Sequence, residues 1–456
     1  MNKPLQIGLL GMGTVGTGTF NVLRRNQAEI IRRAGRGIVI TMVADLDTDR
    51  CKAIAGDGVV VVNDAHAVIA NPDIDIVVEL IGGYGIARQL VMQAIEAGKH
   101  VVTANKALLA VHGTEIFAAA HRKGVMVGFE AAVAGGIPII KALREGLTAN
   151  RIQWIAGIIN GTTNFILSEM RDKGLDFDVV LKEAQRLGYA EADPTFDIEG
   201  VDAAHKATLM SAIAFGIPVQ FDKAYVEGIT KLGAADIKYA EQLGYRIKLL
   251  GVVKRRYANT PAGAPEGVEL RVHPCLVSAK RLIANVEGAM NAVVVHGDAV
   301  GTTLYYGKGA GAEPTASAVI ADLVDIARLD TAETAQRVPH LAFQPHTFDQ
   351  ALSDLPVLAM SEVITSYYLR LRVSDLPGVL ARVTGIVADA GISIDAVLQR
   401  EADEVGGASG LDTPQTDLII LTHDTREGSM NEVMTRLQAL PTVLQPIVRI
   451  RKEELA

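Results

Sequence analysis

The feature that most constrains this chain is its opening, where an apolar run, Leu5–Leu10, passes directly into Gly11-Met12-Gly13-Thr14-Val15-Gly16 and then into helix-compatible sequence through about Ala28. Strand, glycine turn and helix in that order make a dinucleotide cradle. The first glycine permits a tight turn, and the second lets main-chain N–H groups approach a pyrophosphate. The third allows close helix-to-strand packing, with the phosphates over the helix N-terminus. A G-x-G-x-x-G alone is a weak signal, and its place behind an apolar strand gives it weight. Gly11, Gly13, Thr14, Val15 and Gly16 are therefore candidate cofactor contacts.

A second strand is expected over Ile38–Ala44, ending at Asp45, 29 residues past Gly16 where ~20 is usual. The extra length, Arg24 to Gly37, reads as an extended helix and loop. Ala44 and Asp45 join the candidate cofactor residues. A carboxylate there can bond the adenosine ribose 2′-OH and repel a 2′-phosphate, favouring NAD over NADP; Arg50 nearby softens that preference, and Asp45 also reads as a plain turn residue. Strand-like Val59–Val62, Ile76–Leu80, His100–Thr103 and Val125–Phe129 alternate with helices from Asp64 and over Ile86–Ala97, which predicts a doubly wound parallel sheet. Ligands of such sheets lie at the carboxyl ends of the strands. Two loops there stand out, Gly82-Gly83 and Thr103-Ala104-Asn105-Lys106. Lys106 reads either as a cofactor-site cation or as a solvated lysine.

With 456 residues, two or three domains are expected. Lys and Arg number 44 against 52 acids, for a net charge of −8, which argues against nucleic-acid partners. Cys51 and Cys275 are the only cysteines, too few for a disulfide framework and without zinc-site spacing. No apolar run reaches the ~18 to 20 residues a membrane helix needs, so a cytoplasmic protein is expected, with no membrane partner.

From about Ile137 longer amphipathic helices mix with strands, as in a substrate domain. The densest chemistry lies between Gly188 and Lys206, where five carboxylates and a lysine crowd one loop and helix start. Reducing a carbonyl needs a hydride and a proton, or a positive charge for the developing alkoxide. Lys206 is the candidate. Asp202 and Lys206, four apart, share a face of a helix expected over Gly200–Phe215. They read as a surface ion pair worth a few tenths of a kcal/mol or, since Ala203, Ala204, Ala207, Leu209, Met210, Ala212 and Ile213 make the helix so apolar, as a site. Glu191 and Asp202 could hold a substrate ammonium group, and His205 reads as structural.

The pattern A-x3-G-Y-x-E-x-D-P-x2-D-I-x-G-x-D-x3-K, from Ala184 to Lys206, resembles the signature of homoserine dehydrogenase. Thr103-Ala104-Asn105-Lys106, Glu130 to Pro138, Gly161-Thr162-Thr163-Asn164-Phe165-Ile166-Leu167 and Gly309-Ala310-Gly311 followed by Pro314-Thr315-Ala316-Ser317 are similar to that family too, in its order. The resemblance implies reversible NAD(P)-dependent interconversion of L-homoserine and L-aspartate 4-semialdehyde, toward threonine, methionine and isoleucine. It implies Lys206 as proton donor to the aldehyde oxygen and Lys106 as a second cationic group, with Glu191 and Asp202 on the amino-acid end of the substrate. Thr103, Gly188 and Gly311 would border the cofactor. It also implies a monovalent cation, Na⁺ or K⁺, at Glu130, Val133, Gly135 and Ile137, where a carboxylate with nearby carbonyls suits a hard ion.

Between about Leu329 and Glu362, Pro339, Pro345 and Pro356 punctuate a linker. Beyond it, strands Tyr368–Val373, Ser393–Gln399, Thr416–Thr422 and Thr442–Ile450 and helices through Ala390 and over Met430–Leu440 follow a βαββαβ, ferredoxin-like order, with a Gly/Ser/Asp/Thr-rich loop from Glu404 to Pro414. With Asp375-Leu376-Pro377-Gly378-Val379-Leu380, this tail resembles an ACT domain, which implies amino-acid control, most simply by L-threonine, or dimerisation alone. A homo-oligomer, dimer or tetramer, is expected. The expected class is α/β: a Rossmann nucleotide domain (1–136), an α+β substrate and dimerisation domain (137–335, with 305–335 returning to the nucleotide domain), a linker (336–361) and the ACT domain (362–456). A chain cut after Ser361 is expected to keep catalysis and lose any threonine inhibition. Two rival readings remain. One is an aldehyde-oxidising dehydrogenase acting through a cysteine thiohemiacetal; the other is a non-catalytic sensor of dinucleotide and amino acid.

Overall fold

The structure, a computed structural model, describes residues 3–258, 265–343, 353–400 and 414–455. The chain divides into two units of three segments each. Unit 1 takes Met1–Gly161, Asp202–Ala224 and Ala289–Leu355, and unit 2 takes Thr162–Val201, Tyr225–Gly288 and Pro356–Ala456.

Unit 1 begins with alternating elements: β1 (Leu5–Leu10), α1 (Thr14–Arg25), α2 (Gln27–Ala34), β2 (Ile38–Ala44), α3 (Thr48–Ala55), β3 (Val60–Val62), α4 (Ala65–Ala70), β4 (Ile76–Glu79), α5 (Ile86–Glu96), β5 (His100–Thr103), α6 (Lys106–Lys123) and β6 (Val127–Gly128). The six strands are parallel, in the order β3-β2-β1-β4-β5-β6. Strand order therefore reverses beside β1, which sets the ligand crevice at the glycine turn that follows it. β4 and β5 are buried throughout, as strands covered on both faces must be, and they read accordingly as continuous apolar runs. A later helix, Ala312–Leu329, returns to this layer, where Ala316, Val319 and Leu323 share a core with Leu9, Phe20 and Val43.

The expected extended helix over Arg24–Gly37 is instead two helices broken at Asn26. The last strand of the sheet shortens to Val127–Gly128 because Glu130–Ala132 turns into a 3-10 helix. Unit 1 also holds three antiparallel strands, Ile152–Ile158, Met290–Gly297 and Gly301–Lys308, and almost all of the helix Val201–Phe215, buried from Asp202 to its end. A helix apolar on every side belongs inside a protein.

In unit 2 two twelve-residue strands, Tyr245–Arg256 and Gly267–Ser278, pair antiparallel. The C-terminal module forms a second antiparallel array ordered Val448–Glu453, Ile364–Ser374, Gln415–Thr422, Ile394–Gln399. Helices Val379–Asp389 and Glu427–Gln438 contribute Val383, Val387, Val433 and Leu437 to a core with Tyr367, Leu369 and Leu371. The two arrays are joined, since Cys275 to Val277 pairs in parallel with Arg451 to Glu453. Buried ion pairs clamp the join: Arg271 bridges Glu269 and Glu453, and Arg451 bridges Glu227 and Glu427. The tail is thus not an appendage, contrary to what a separable module would require.

Its last strand lies several residues later than the expected Thr442–Ile450: Val443 makes an isolated bridge to Val373, and continuous pairing resumes at Val448, past Pro446, which lacks an N–H donor. The first strand is longer than expected and the second helix starts earlier. Residues 404–413 of the polar loop, and Pro345 of the linker, lie outside the described residues. No helix among the described residues is long and apolar enough to cross a membrane.

Candidate active site

The glycine turn is built by close approach. Gly11 sits at φ 91°, a left-handed conformation suited to glycine, and its N–H donates to Ala44 O. A Cβ on Gly16 would lie 2.2 Å from Gly11 O, and one on Gly18 would lie 2.4 Å from Ala312 O. A Cβ on Gly13 would meet nothing within 4 Å, so the middle glycine faces open space ahead of the first turn of α1, formed by Thr14 and Val15. That is room a pyrophosphate can use. Gly311 is the residue before helix Ala312–Leu329, whose Ala312 packs against Gly18 of α1.

Asp45 has a role that sequence did not reveal. Its Oδ2 accepts from Met12 N–H at 2.7 Å and its Oδ1 from Asp47 N–H at 3.0 Å, with Arg50 3.6 Å away. The carboxylate therefore ties the second strand to the glycine turn.

At the ends of β4 and β5 lies a network no motif announced. Buried Glu79 accepts from Ile81 and Gly82 N–H through Oε1, and from Thr103 Oγ1 through Oε2 at 2.6 Å. Thr103 Oγ1 accepts from Asn105 N–H, while Asn105 donates to Gly83 O and caps α6 by accepting from Leu108 N–H. These bonds hold the Gly82-Gly83 loop beside Lys106.

The charged centre is compact. Lys206 Nζ donates to Asp202 Oδ2 and to Ile159 O, both at 2.7 Å, while Lys106 Nζ lies 3.1 Å from Asp202 Oδ1. Asn160 Nδ2 donates to Asp202 Oδ2 at 2.8 Å. Asp202 and Lys206 are buried, and Lys106 is one-third exposed. The surface-pair reading fails for Asp202 and Lys206, which are buried, whereas Lys106 pairs with Asp202 and keeps part of its side chain exposed. Burial alone would raise the Asp202 carboxyl, but Lys206 and Lys106 outweigh it and hold the group well below the usual carboxylate range. His205 packs edge-on against Phe221, and burial lowers its imidazole to about 4, so it is neutral at pH 7.

Glu191 and Gly188 fall in unit 2, Glu191 exposed in the loop after helix Phe177–Arg186. Lys106, Asp202 and Lys206 belong to unit 1.

At the expected cation position the carboxylate is already committed: Glu130 Oε1 and Oε2 accept from Ile140 and Lys141 N–H at 2.9 and 2.8 Å. Burial and the nearby Asp322 push Glu130 up to about 7. Ala134 at φ 55° and Gly135 at φ 43° are consecutive left-handed residues, a turn that costs strain at alanine. Each Glu130 oxygen accepts one main-chain N–H and keeps a lone pair, so the carboxylate remains compatible with a hard cation.

Neither cysteine suits thiohemiacetal chemistry. Both are buried, and burial pushes both thiols upward.

Comparison with known proteins accords with this arrangement. The chain matches the family models for the NAD-binding domain of homoserine dehydrogenase over residues 11–130, homoserine dehydrogenase over 138–324 and the ACT domain over 367–442. It is 58% identical to a homoserine dehydrogenase of Pseudomonas aeruginosa, across 99% of this chain and 100% of that one, and 56% identical to one of Neisseria gonorrhoeae, across 99% of each. Among solved structures, a homoserine dehydrogenase from Thiobacillus denitrificans superposes with a TM-score of 0.91 at 62% identity, covering 100% of this chain and 99% of that chain. A turn open for a dinucleotide, two lysines on one buried carboxylate and full-length likeness together place the chain in the homoserine dehydrogenase family of NAD(P)-dependent oxidoreductases.

Proposed function

We propose that this chain interconverts L-homoserine and L-aspartate 4-semialdehyde with NAD or NADP, and that Lys206 moves the proton. A bound nicotinamide supplies or accepts the hydride. The observation that carries the assignment is the buried Lys206 ammonium, oriented by two acceptors, Asp202 Oδ2 and Ile159 O, with Lys106 on the other oxygen of the same carboxylate; we assign one of its N–H groups to the substrate oxygen. In reduction that N–H hydrogen-bonds the aldehyde oxygen, stabilises the growing negative charge and gives up its proton as the alcohol forms. In oxidation the amine takes the hydroxyl proton back. Asp202 keeps Lys206 oriented, and Lys106, bound to the other Asp202 oxygen, adds positive field at the same centre. We assign Glu191 to the substrate's ammonium end and Gly188, Thr103 and Gly311 to the cofactor border, from the family resemblance.

The dinucleotide lies on the glycine turn, with Gly11 to Gly16 and Ala44 beneath it and Asp45 bracing that turn. A monovalent cation held by carbonyls of residues 133–137 stabilises the strained Ala134-Gly135 turn. The C-terminal module serves as an amino-acid sensor, for which L-threonine is the first effector to try. The exposed side chains of Thr302, Leu304 and Tyr306 on strand Gly301–Lys308 favour assembly into a homo-oligomer.

The test is Lys206→Ala, measured in both directions with each dinucleotide. Turnover should fall by about 10² to 10⁴-fold, the range of acid–base catalysis, while dinucleotide affinity stays within about twofold. Full turnover would move the chemistry to another residue.

A further inference from the structure

The end of β4 carries a buried carboxylate outside the centre around Asp202. Glu79 is fully buried, and its donors are neutral: the N–H groups of Ile81 and Gly82 at 2.9 and 3.0 Å, and the Thr103 hydroxyl at 2.6 Å. Taking a carboxylate out of water is costly unless it is well bonded. Bonds to an ionised acceptor are also about twice as strong as neutral ones, so Glu79 holds these three donors more firmly than an uncharged side chain can.

On one side of it lies the glycine turn. Glu79 pairs in the parallel ladder with Leu10, the residue before Gly11, and Leu80 N–H donates to Leu10 O at 2.8 Å. A Cβ on Gly11 would lie 2.9 Å from Leu80 O and 3.1 Å from Ile81 N, so the main chain after Glu79 is pressed against that turn. On the other side lies Lys106. Thr103 Oγ1, while donating to Glu79, accepts from Asn105 N–H at 2.9 Å, and the Asn105 side chain donates to Gly83 O. Residues 81–83 are thus fastened at their start by Glu79 and at their end by the neighbour of Lys106. Gly82 and Gly83, at φ 84° and 69°, are both left-handed, and a Cβ on either would meet nothing within 4 Å. Ile81, Tyr84 and Ile86 are exposed around them. The loop therefore has one bonded face and one open face with apolar surface that a flat ring can cover.

We propose that Glu79 is a positioning residue for hydride transfer. By fixing residues 81–83 between the glycine turn and Lys106, it sets where the nicotinamide end of the dinucleotide rests on the open face of Gly82-Gly83. The inference rests on the dinucleotide lying on the glycine turn, as proposed above. Glu79 acts through the loop rather than on a reacting atom, and its leverage comes from geometry, since a misplacement of about 1 Å can cost about 10²-fold in rate. Two substitutions loosen the loop from opposite ends. In Glu79→Gln the amide oxygen still accepts from the two N–H groups, but an NH₂ stands where the Thr103 hydroxyl needs an acceptor. In Asn105→Asp the cap on Leu108 N–H survives, whereas the donor to Gly83 O is lost.

The experiment measures the rate constant for hydride transfer in a single turnover of the full-length chain. Homoserine is saturating, enzyme is in excess over NAD or NADP and above its Kd, and nicotinamide absorbance is the signal. Misfolded protein lowers steady-state kcat but leaves this rate constant unchanged, so a merely structural role would not move it. In Glu79→Gln and in Asn105→Asp it should fall about 10- to 100-fold. Because both changes act on one loop, the losses in the double variant should not multiply. Rate constants within about twofold of wild type in both single variants overturn the proposal, even where dinucleotide affinity falls; losses that multiply overturn it too. Should Glu79→Gln fail to fold, Asn105→Asp decides by the same criterion. A wild-type chain that reduces neither dinucleotide defeats the dehydrogenase assignment and this inference with it, whereas normal wild-type turnover with unmoved variants defeats only the role of Glu79.

Discussion

Asp202 divides its charge between two lysines and an amide, and this arrangement decides what each substitution should do. In Asp202→Asn the geometry survives but the countercharge goes, leaving a buried ammonium that only neutral acceptors hold. Turnover should drop by about 10²-fold or more, with a lower thermal midpoint, since breaking a buried pair costs about 3–5 kcal/mol; wild-type kcat in this variant would remove Asp202 from the site. The spacing of Asp202 and Lys206 was legible because helix periodicity puts four-apart residues on one face. Asn160 and the Ile159 carbonyl were not, since a main-chain oxygen leaves no mark on the sequence and an asparagine before a helix reads as a cap. A different residue governs acid stability. His340 Nε2 accepts from Val127 N–H, and burial lowers its imidazole to about 3. The unfolded chain therefore binds this proton below about pH 6.5 while the folded one resists it, and stability is lost as pH falls through that window, by about 3 kcal/mol at pH 4. His340→Gln should flatten the slope between pH 6.5 and 4 in denaturant titrations; an unchanged slope would assign it to other groups.

At the scale of elements, α1 supports two opposite expectations from chemically identical changes. Glycine to alanine in a helix is ordinarily favourable by about 1 kcal/mol. At Gly18 the new methyl would strike a main-chain oxygen at 2.4 Å, so Gly18→Ala should instead destabilise by about 1–3 kcal/mol. At Gly13 the space is open, so Gly13→Ala should fold as well as the parent and bind dinucleotide more weakly. Equal thermal midpoints for the two variants would refute the close packing. The bounds of β1 and β2 were readable because apolar runs there meet glycine or an acid abruptly. Elements defined by weaker punctuation were misplaced: the break at Asn26 lacks a proline or glycine, and the final strand starts at Val448, past Pro446, and pairs with Gly267–Ser278 from far away in the sequence.

At the scale of the whole molecule, the family models match three successive stretches of sequence, 11–130, 138–324 and 367–442, while the folded chain divides into two units that alternate along the sequence. What periodicity could not convey is that the last strand completes a sheet begun by residues 267–278. A chain cut after Ser361 loses Glu453, Arg451 and Glu427, which leaves buried Arg271 with Glu269 as its remaining carboxylate and half-buried Glu227 without its arginine. Uncompensated buried charge is costly, so the truncated enzyme should be insoluble or melt at least about 10 °C lower, rather than remain active without inhibition. A soluble, fully active truncation would show the join to be dispensable. The backbone passes from one unit to the other five times. On a ribosome making about 5–20 residues each second, the nucleotide-binding layer waits for Ala312–Leu329 to emerge before its core can close. Its companion waits for the last ten residues. The first can therefore close ahead of the second, and the nascent polypeptide must keep the greasy surface of the companion guarded almost until release.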